Sequence, residues 1–261
     1  MNNRPIGFFD SGIGGLSIWK AVNAMLPNES TIYLADSKNA PYGEKPIEKI
    51  KHFSFKNVDL LLKHEAKLIV VACNTATTNA IEDLRSHYNI PFIGIEPATK
   101  PAAISTVTGK IGILATQGTF ASELFLNTSK AFRGSVEIIE TAGTGLVQIV
   151  ESGSLEDARP LLEKYLNPMV EAGVDNIVLG CTHYPFLTPI IKSIVPNNIA
   201  IIDSGDAVAR RTRHIIESYD LASITPPEHN FYTNGKLEVL KAFAAQLKGS
   251  SSPITSTALD F

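Results

Sequence analysis

Eight short apolar runs, separated by stretches whose hydrophobic residues return every three or four positions, narrow this chain to one class of architecture. The runs are PIGFF (5–9), TIYLA (31–35), KLIVVA (67–72), PFIGI (91–95), KIGILA (110–115), SVEIIE (135–140), DNIVLG (175–180) and NIAIID (198–203). Segments between them, such as IEKIKHFSFKNVDLLLKHE (47–65), carry helical spacing. Strand-length runs alternating with helix-length segments predict an α/β fold of parallel β/α units. Near the end, HNFYTNGKLEVLKAFAAQL (229–247) reads as a last strand, a turn at Gly235 and a helix. The Ser/Thr-rich stretch 248–261 reads as loosely held.

The order of features repeats. IGFFDSG (6–12) is followed by APYG (40–43), Cys73 and PFIGIEP (91–97). IGILATQG (111–118) is followed by TAGTG (141–145), Cys181 and IAIIDSG (199–205). Asp10 and Cys73 are 63 positions apart, Ala115 and Cys181 66. This pattern predicts two related α/β halves, 1–97 and 98–206, with 207–261 returning to pack on the first. A chain of 261 residues is long enough for two such cores. In open parallel sheets functional groups gather beyond the carboxyl ends of strands. Asp10, Ser11, Cys73, Thr116 and Cys181 all fall there.

Composition excludes several classes of partner. A net charge of −3 and a pI near 6.1 give no electrostatic case for nucleic acid or an anionic membrane. No segment has the length and apolarity of a signal peptide or a membrane span, so a cytoplasmic protein is expected. Two cysteines in so long a chain are not a disulfide framework, and reduced thiols are expected.

Those cysteines occupy equivalent places, Cys73 before Asn74 and Thr75 in VVACNTATT, Cys181 before Thr182 and His183 in VLGCTHYPF. A buried free cysteine is commonly a small hydrophobe. Here both stand at strand-to-helix junctions, where free N–H groups and the helix dipole stabilise anions and draw a thiol pKa from about 8.5 toward neutrality. Thr75 and Thr182 can cap those helix starts. The chain has no C-x-x-C or H-E-x-x-H pattern, so no metal site is expected. A redox dithiol usually has its cysteines close in sequence. A remaining arrangement is two thiols facing each other across one small substrate, with His183 as an orienting or basic partner. His52, His64, His87, His214 and His229 read as ordinary satisfied or exposed side chains.

GIGGLS (12–17) matches a dinucleotide fingerprint until its last place, where Ser17 replaces glycine. The run DSGIGGLS fits an anion-binding turn better, with N–H groups directed at a carboxylate. No Walker pattern is present.

Taken together, FFDSGIGGLS, YLADSKNAPYGEK, VVACNTATTNA, GIEPATKPA and VLGCTHYPFL resemble the glutamate racemases, in order and at matching intervals from about residue 6 to 210. Aspartate racemases share the two-cysteine plan but are less similar around it. The resemblance implies two pseudo-symmetric α/β domains with mostly parallel sheets and an active site in the cleft between them. It implies cofactor-independent interconversion of L- and D-glutamate for peptidoglycan synthesis, and a homodimer. The few residues before RPIGFFDSG make activation by a peptidoglycan precursor unexpected.

By the same resemblance Cys73 and Cys181 are the acid/base catalysts, Cys181 for L-glutamate and Cys73 for D-glutamate. Asp10 assists near Cys73, His183 and Glu151 near Cys181. Substrate contacts are implied for Asp10, Ser11, Pro41, Tyr42, Gly43, Asn74, Thr75, Thr116, Thr119, Thr182 and His183. Ser37 and Asn39 in ADSKNAPYG (35–43) stand where many relatives carry Thr and Arg, so a slight shift of this loop is expected. Without a pyridoxal electron sink, the site itself must stabilise the carbanionic transition state. The competing readings are another amino-acid racemase on this scaffold, a thiol oxidoreductase using a Cys73–Cys181 disulfide, and a non-catalytic glutamate-binding protein.

Overall fold

The computed structural model describes residues 3–247 and 253–261. Among these described residues ten strands form two sheets in which every pairing is parallel. They are β1 (Ile6–Asp10), β2 (Thr31–Ala35), β3 (Leu68–Val71), β4 (Phe92–Gly94), β5 (Lys110–Ala115), β6 (Glu137–Ala142), β7 (Asn176–Gly180), β8 (Ala200–Ile202), β9 (His229–Thr233) and β10 (Ile254–Ala258). The six-stranded sheet runs β10-β9-β2-β1-β3-β4 and the four-stranded sheet β6-β5-β7-β8.

Strands β1, β2, β3 and β7 are buried at every position. That is why they appear as continuous apolar runs: a central parallel strand is covered by helices on both faces. The eight sequence-predicted strands all form, within two residues of the expected bounds. Strand β6 starts later than expected because the Val136 N–H turns back to the Phe132 carbonyl at 2.9 Å. The ladder therefore opens at Glu137, whose N–H reaches the Gly109 carbonyl at 2.8 Å.

Strand order fixes where chemistry can occur. From β1 the chain steps outward to β2, then returns to lay β3 on the other side of β1. The second sheet repeats this with β5, β6 and β7. Each sheet thus has a topological switch point, a crevice at the carboxyl ends of β1 and β3 in the first and of β5 and β7 in the second. Asp10 and Cys73 flank the first; Thr116 and Cys181 flank the second.

The end of the chain differs from expectation. Residues 248–252 lie outside the described residues, but 254–258 form β10 on the edge of the first sheet. Beyond it the Leu259 N–H reaches the Thr233 carbonyl at 2.9 Å, and Asn234 Nδ2 reaches the Phe261 carbonyl at 3.1 Å. The β-branched residues of ITSTA suit an edge strand whose hydroxyls face water. At the amino-terminal ends of β2 and β3, a buried ion pair fixes the segment after helix Gly205–Ser218. Lys67 Nζ contacts Glu29 Oε2 at 2.5 Å and the Leu221 carbonyl at 2.7 Å, and Ser223 N–H donates to Glu29 Oε1 at 2.9 Å.

Candidate active site

Each cysteine stands one or two residues past a central strand. Cys73 is the N-cap of helix Asn74–His87, and its sulfur accepts the Ala76 N–H at 3.4 Å while donating to Ser11 Oγ at 3.7 Å. Cys181 lies 3.7 Å from His183 Nδ1. Both thiols are free and buried, and both line one cavity between the sheets. Its volume is about 10 Å³, room for roughly one water molecule.

Behind Cys73 stands Asp10, wholly buried at the end of β1. Its Oδ2 accepts the N–H groups of Gly12 at 3.2 Å and Gly15 at 3.0 Å, and its Oδ1 accepts Thr182 Oγ1 at 3.4 Å. Burial pushes the Asp10 carboxyl above the usual carboxylate range, against the opposing pull of His183 and the Gly15 N–H. Burial, and after it the negative field of Asp10, push the Cys73 thiol well up.

Behind Cys181, His183 Nε2 contacts Glu151 Oε1 at 2.6 Å. Burial acts to lower the His183 pKa. Hydrogen bonds to Cys181 and Glu151, with the charges of Cys181 and Asp10, outweigh it and hold the imidazole well above its ordinary value. These contacts favour the protonated ring, which would present one N–H to Glu151 and the other to the sulfur.

The glycine-rich turn does bind carboxylates, and they belong to the chain itself. Gly12 and Gly15 serve Asp10, while the Ile13 N–H reaches Glu151 Oε1 at 2.6 Å. Glycine is required by close approach: a Cβ on Gly12 would stand 1.9 Å from Glu151 Oε1, and one on Gly14 2.3 Å from His183 Nδ1. Ser17, the residue that breaks the dinucleotide fingerprint, donates its hydroxyl to the Thr182 carbonyl at 2.9 Å.

Of the sequence-predicted contacts, Ser11, Pro41, Tyr42, Gly43, Asn74, Thr75, Thr116, Thr182 and His183 line the cavity. Asn74 brings an amide whose oxygen and nitrogen are both buried with no protein partner among the described residues. A buried amide left unpaired costs roughly 1–3 kcal/mol, so this one favours a polar ligand. Thr119 stands behind Thr116 at 3.0 Å, and Thr75 reaches Thr116 at 2.9 Å across the cleft. Asp10 and Glu151 lie behind the cavity wall rather than on it. Tyr42 contributes its ring, but its hydroxyl turns away and donates to Asp36 Oδ2 at 2.5 Å.

Sequence reading missed two participants. Val147 lines the cavity; it sits four residues before Glu151 in one helix, a spacing that places both on one face. Ser37 donates its hydroxyl to Glu151 Oε2 at 2.8 Å from the opposite sheet. Among the described residues no group of three His, Cys, Asp or Glu side chains could hold a metal ion.

Known proteins resemble this chain in sequence and in fold. Residues 15–212 match the family described as Asp/Glu/Hydantoin racemase. A glutamate racemase of Herpetosiphon aurantiacus is 46% identical over 85% of this chain and 88% of its own length. The crystal structure of glutamate racemase isoform RacE1 from Bacillus anthracis superposes with a TM-score of 0.87 at 29% identity, covering 100% of this chain and 99% of that one. The Escherichia coli glutamate racemase, solved with L-glutamate and the activator UDP-MurNAc-ala, superposes with a TM-score of 0.85 at 30% identity over 98% of both chains. The chain belongs to the Asp/Glu/hydantoin racemase family, and within it to the glutamate racemases.

Proposed function

We propose that this chain interconverts L- and D-glutamate without a cofactor, moving protons between Cys73 and Cys181 on opposite faces of the α-carbon. The observation that carries this reading is the convergence of two free buried thiols on one small cavity, each backed by its own polar assembly. The α-proton is weakly acidic because the neighbouring carboxylate already bears charge. Stabilisation must come from fixed donors and charges around the developing carbanion. Ser11, Thr75 and Thr182 line the cavity and the Asn74 amide is unpartnered there, which supports a role for them in holding the two carboxylates.

Burial and the field of Asp10 push the Cys73 thiol up, and the contacts with Cys181 and Glu151 push His183 up, so both favour their protonated forms. That form suits L-glutamate: Cys181 removes its proton, assisted by His183 and Glu151, while Cys73 delivers one to the other face. In the reverse direction Cys73 is the base, assisted by Asp10. The same strand order recurs at the two switch points, so each half can offer an equivalent thiol to one face of the substrate carbon.

A cavity of about 10 Å³ is too small for glutamate. The halves must part to admit substrate and close to exclude water. We take residues 1–97 and 98–206 as the two units, with 207–261 moving with the first. Support comes from β9 and β10, which extend the first sheet beside β2. The resemblance supports a homodimer and a cytoplasmic place in peptidoglycan synthesis; among the described residues no helix is long and apolar enough to cross a membrane.

Circular dichroism of L-glutamate incubated with the purified protein and no added cofactor tests the reading. The signal is expected to decay to zero as the racemate forms, with L-aspartate changing far more slowly. A stable signal would refute the activity, and faster loss with L-aspartate would move the chain to another substrate.

A further inference from the structure

Glu151 is held from both sides of the cleft. It lies on helix Leu146–Ser152, after β6 of the four-stranded sheet, as does its partner His183 after β7. Its other two partners come from the six-stranded side. The Ile13 N–H, beyond β1, shares Oε1 with His183, and Ser37 Oγ, beyond β2, takes Oε2 at 2.8 Å. When the sheets part, these two bonds must break while the His183–Glu151 contact can persist. A carboxylate with one anchor rotates about its side-chain torsions; one with three does not.

We propose that Ser37 is a positioning residue of the reaction: by gripping Glu151 across the closed cleft it fixes the His183 imidazole against Cys181. The role rests on the racemase reading given above. Ser37 touches neither thiol nor cavity, and it acts through Glu151. Its hydroxyl settles which carboxylate oxygen faces His183 Nε2, and so directs Nδ1 at the sulfur 3.7 Å away. Closure of the cleft and assembly of the Cys181 half of the site are then one event, and an open enzyme has a histidine not yet in register. Other bonds also span the cleft without reaching His183. Gln148 Nε2 donates to Glu44 Oε1 at 2.8 Å on the exposed rim, which provides an internal comparison.

The test compares Ser37→Ala, Ser37→Thr and Gln148→Ala with the parent enzyme in steady-state racemisation of L-glutamate. Ser37→Ala is expected to lower kcat about tenfold, the effect of losing a hydrogen bond to a charged group, with KM changed less than about threefold. Ser37→Thr, which keeps the hydroxyl, is expected to recover kcat to within about threefold of the parent. Gln148→Ala removes an exposed cleft-spanning bond and is expected to hold kcat within about twofold. If Ser37→Ala keeps the parent kcat, or if Gln148→Ala falls as far as Ser37→Ala, the positioning role is wrong and the bond merely helps close the cleft. Failure of Ser37→Thr to recover would also overturn it. A parent enzyme that does not racemise glutamate at all would remove the underlying reading, which is a different outcome.

Discussion

Cys73→Ser and Cys181→Ser are each expected to lower kcat/KM for racemisation by about a thousandfold or more, because a hydroxyl is a far poorer base than a thiol near neutral pH. Neither change should unfold the chain. Both sites are buried, but serine is nearly isosteric, and at position 73 its hydroxyl can still cap the helix through the Ala76 N–H. The pair can be told apart with an amino acid bearing a good leaving group on its β-carbon. Elimination from such a compound needs one deprotonation and no reprotonation of the far face. With Cys181 intact, Cys73→Ser should eliminate only from the L-enantiomer; with Cys73 intact, Cys181→Ser only from the D-enantiomer. A single cysteine variant with full racemase activity would contradict the two-thiol assignment.

Gly12→Ala is expected to have the next largest effect. The added methyl would stand 1.9 Å from Glu151 Oε1 and 2.5 Å from its Cδ, closer than atoms can approach, and Glu151 must withdraw. It would then lose the Ile13 N–H, and its contacts with His183 and Ser37 would shift with it. A loss of about a hundredfold in kcat is expected when several coupled polar contacts are disturbed together. Overpacking adds a stability cost of about 1–3 kcal/mol, which thermal unfolding would register. Gly134→Ala is the comparison, since a Cβ there meets nothing within 4 Å. Activity of Gly12→Ala within about threefold of the parent would show that Glu151 can move without consequence.

Much of the architecture is legible in the sequence because it rests on burial. Central strands such as β3 and β7 cannot be other than apolar, so LIVV and NIVLG announce themselves. Strand β10 does not, because ITSTA lies on an edge with most of its side chains toward solvent. Its pairing depends on β9 having a free edge, which no local pattern reveals. The same distinction runs through the site. Cys73 and Cys181 can be found because both follow an apolar strand at equivalent places. The anion-binding character of DSGIGGLS can be found because glycines free its N–H groups. What those groups bind cannot, since Glu151 arrives from 138 residues away. Ser37 is hidden for the same reason: its contact exists only where two sheets face each other, and a serine in a polar loop carries no periodicity. Tyr42 lies in the cavity wall as expected, while the partner of its hydroxyl, the buried Asp36, is fixed by packing that no local pattern shows.

The source of the α-proton on the product tests the central claim most directly. If two thiols face opposite sides of one carbon, the proton delivered is not the proton removed. The base keeps the substrate proton inside a closed cavity until product leaves, while the opposite thiol gives one acquired earlier from solvent. In deuterated water, D-glutamate formed at low conversion should therefore carry deuterium at its α-carbon, and recovered L-glutamate should remain protiated. Mass spectrometry of the separated enantiomers gives both values in one sample. Deuterium in the recovered L-glutamate at a level comparable with the D-product would mean that one group serves both faces, and the pairing of Cys73 with Cys181 across the substrate would be wrong.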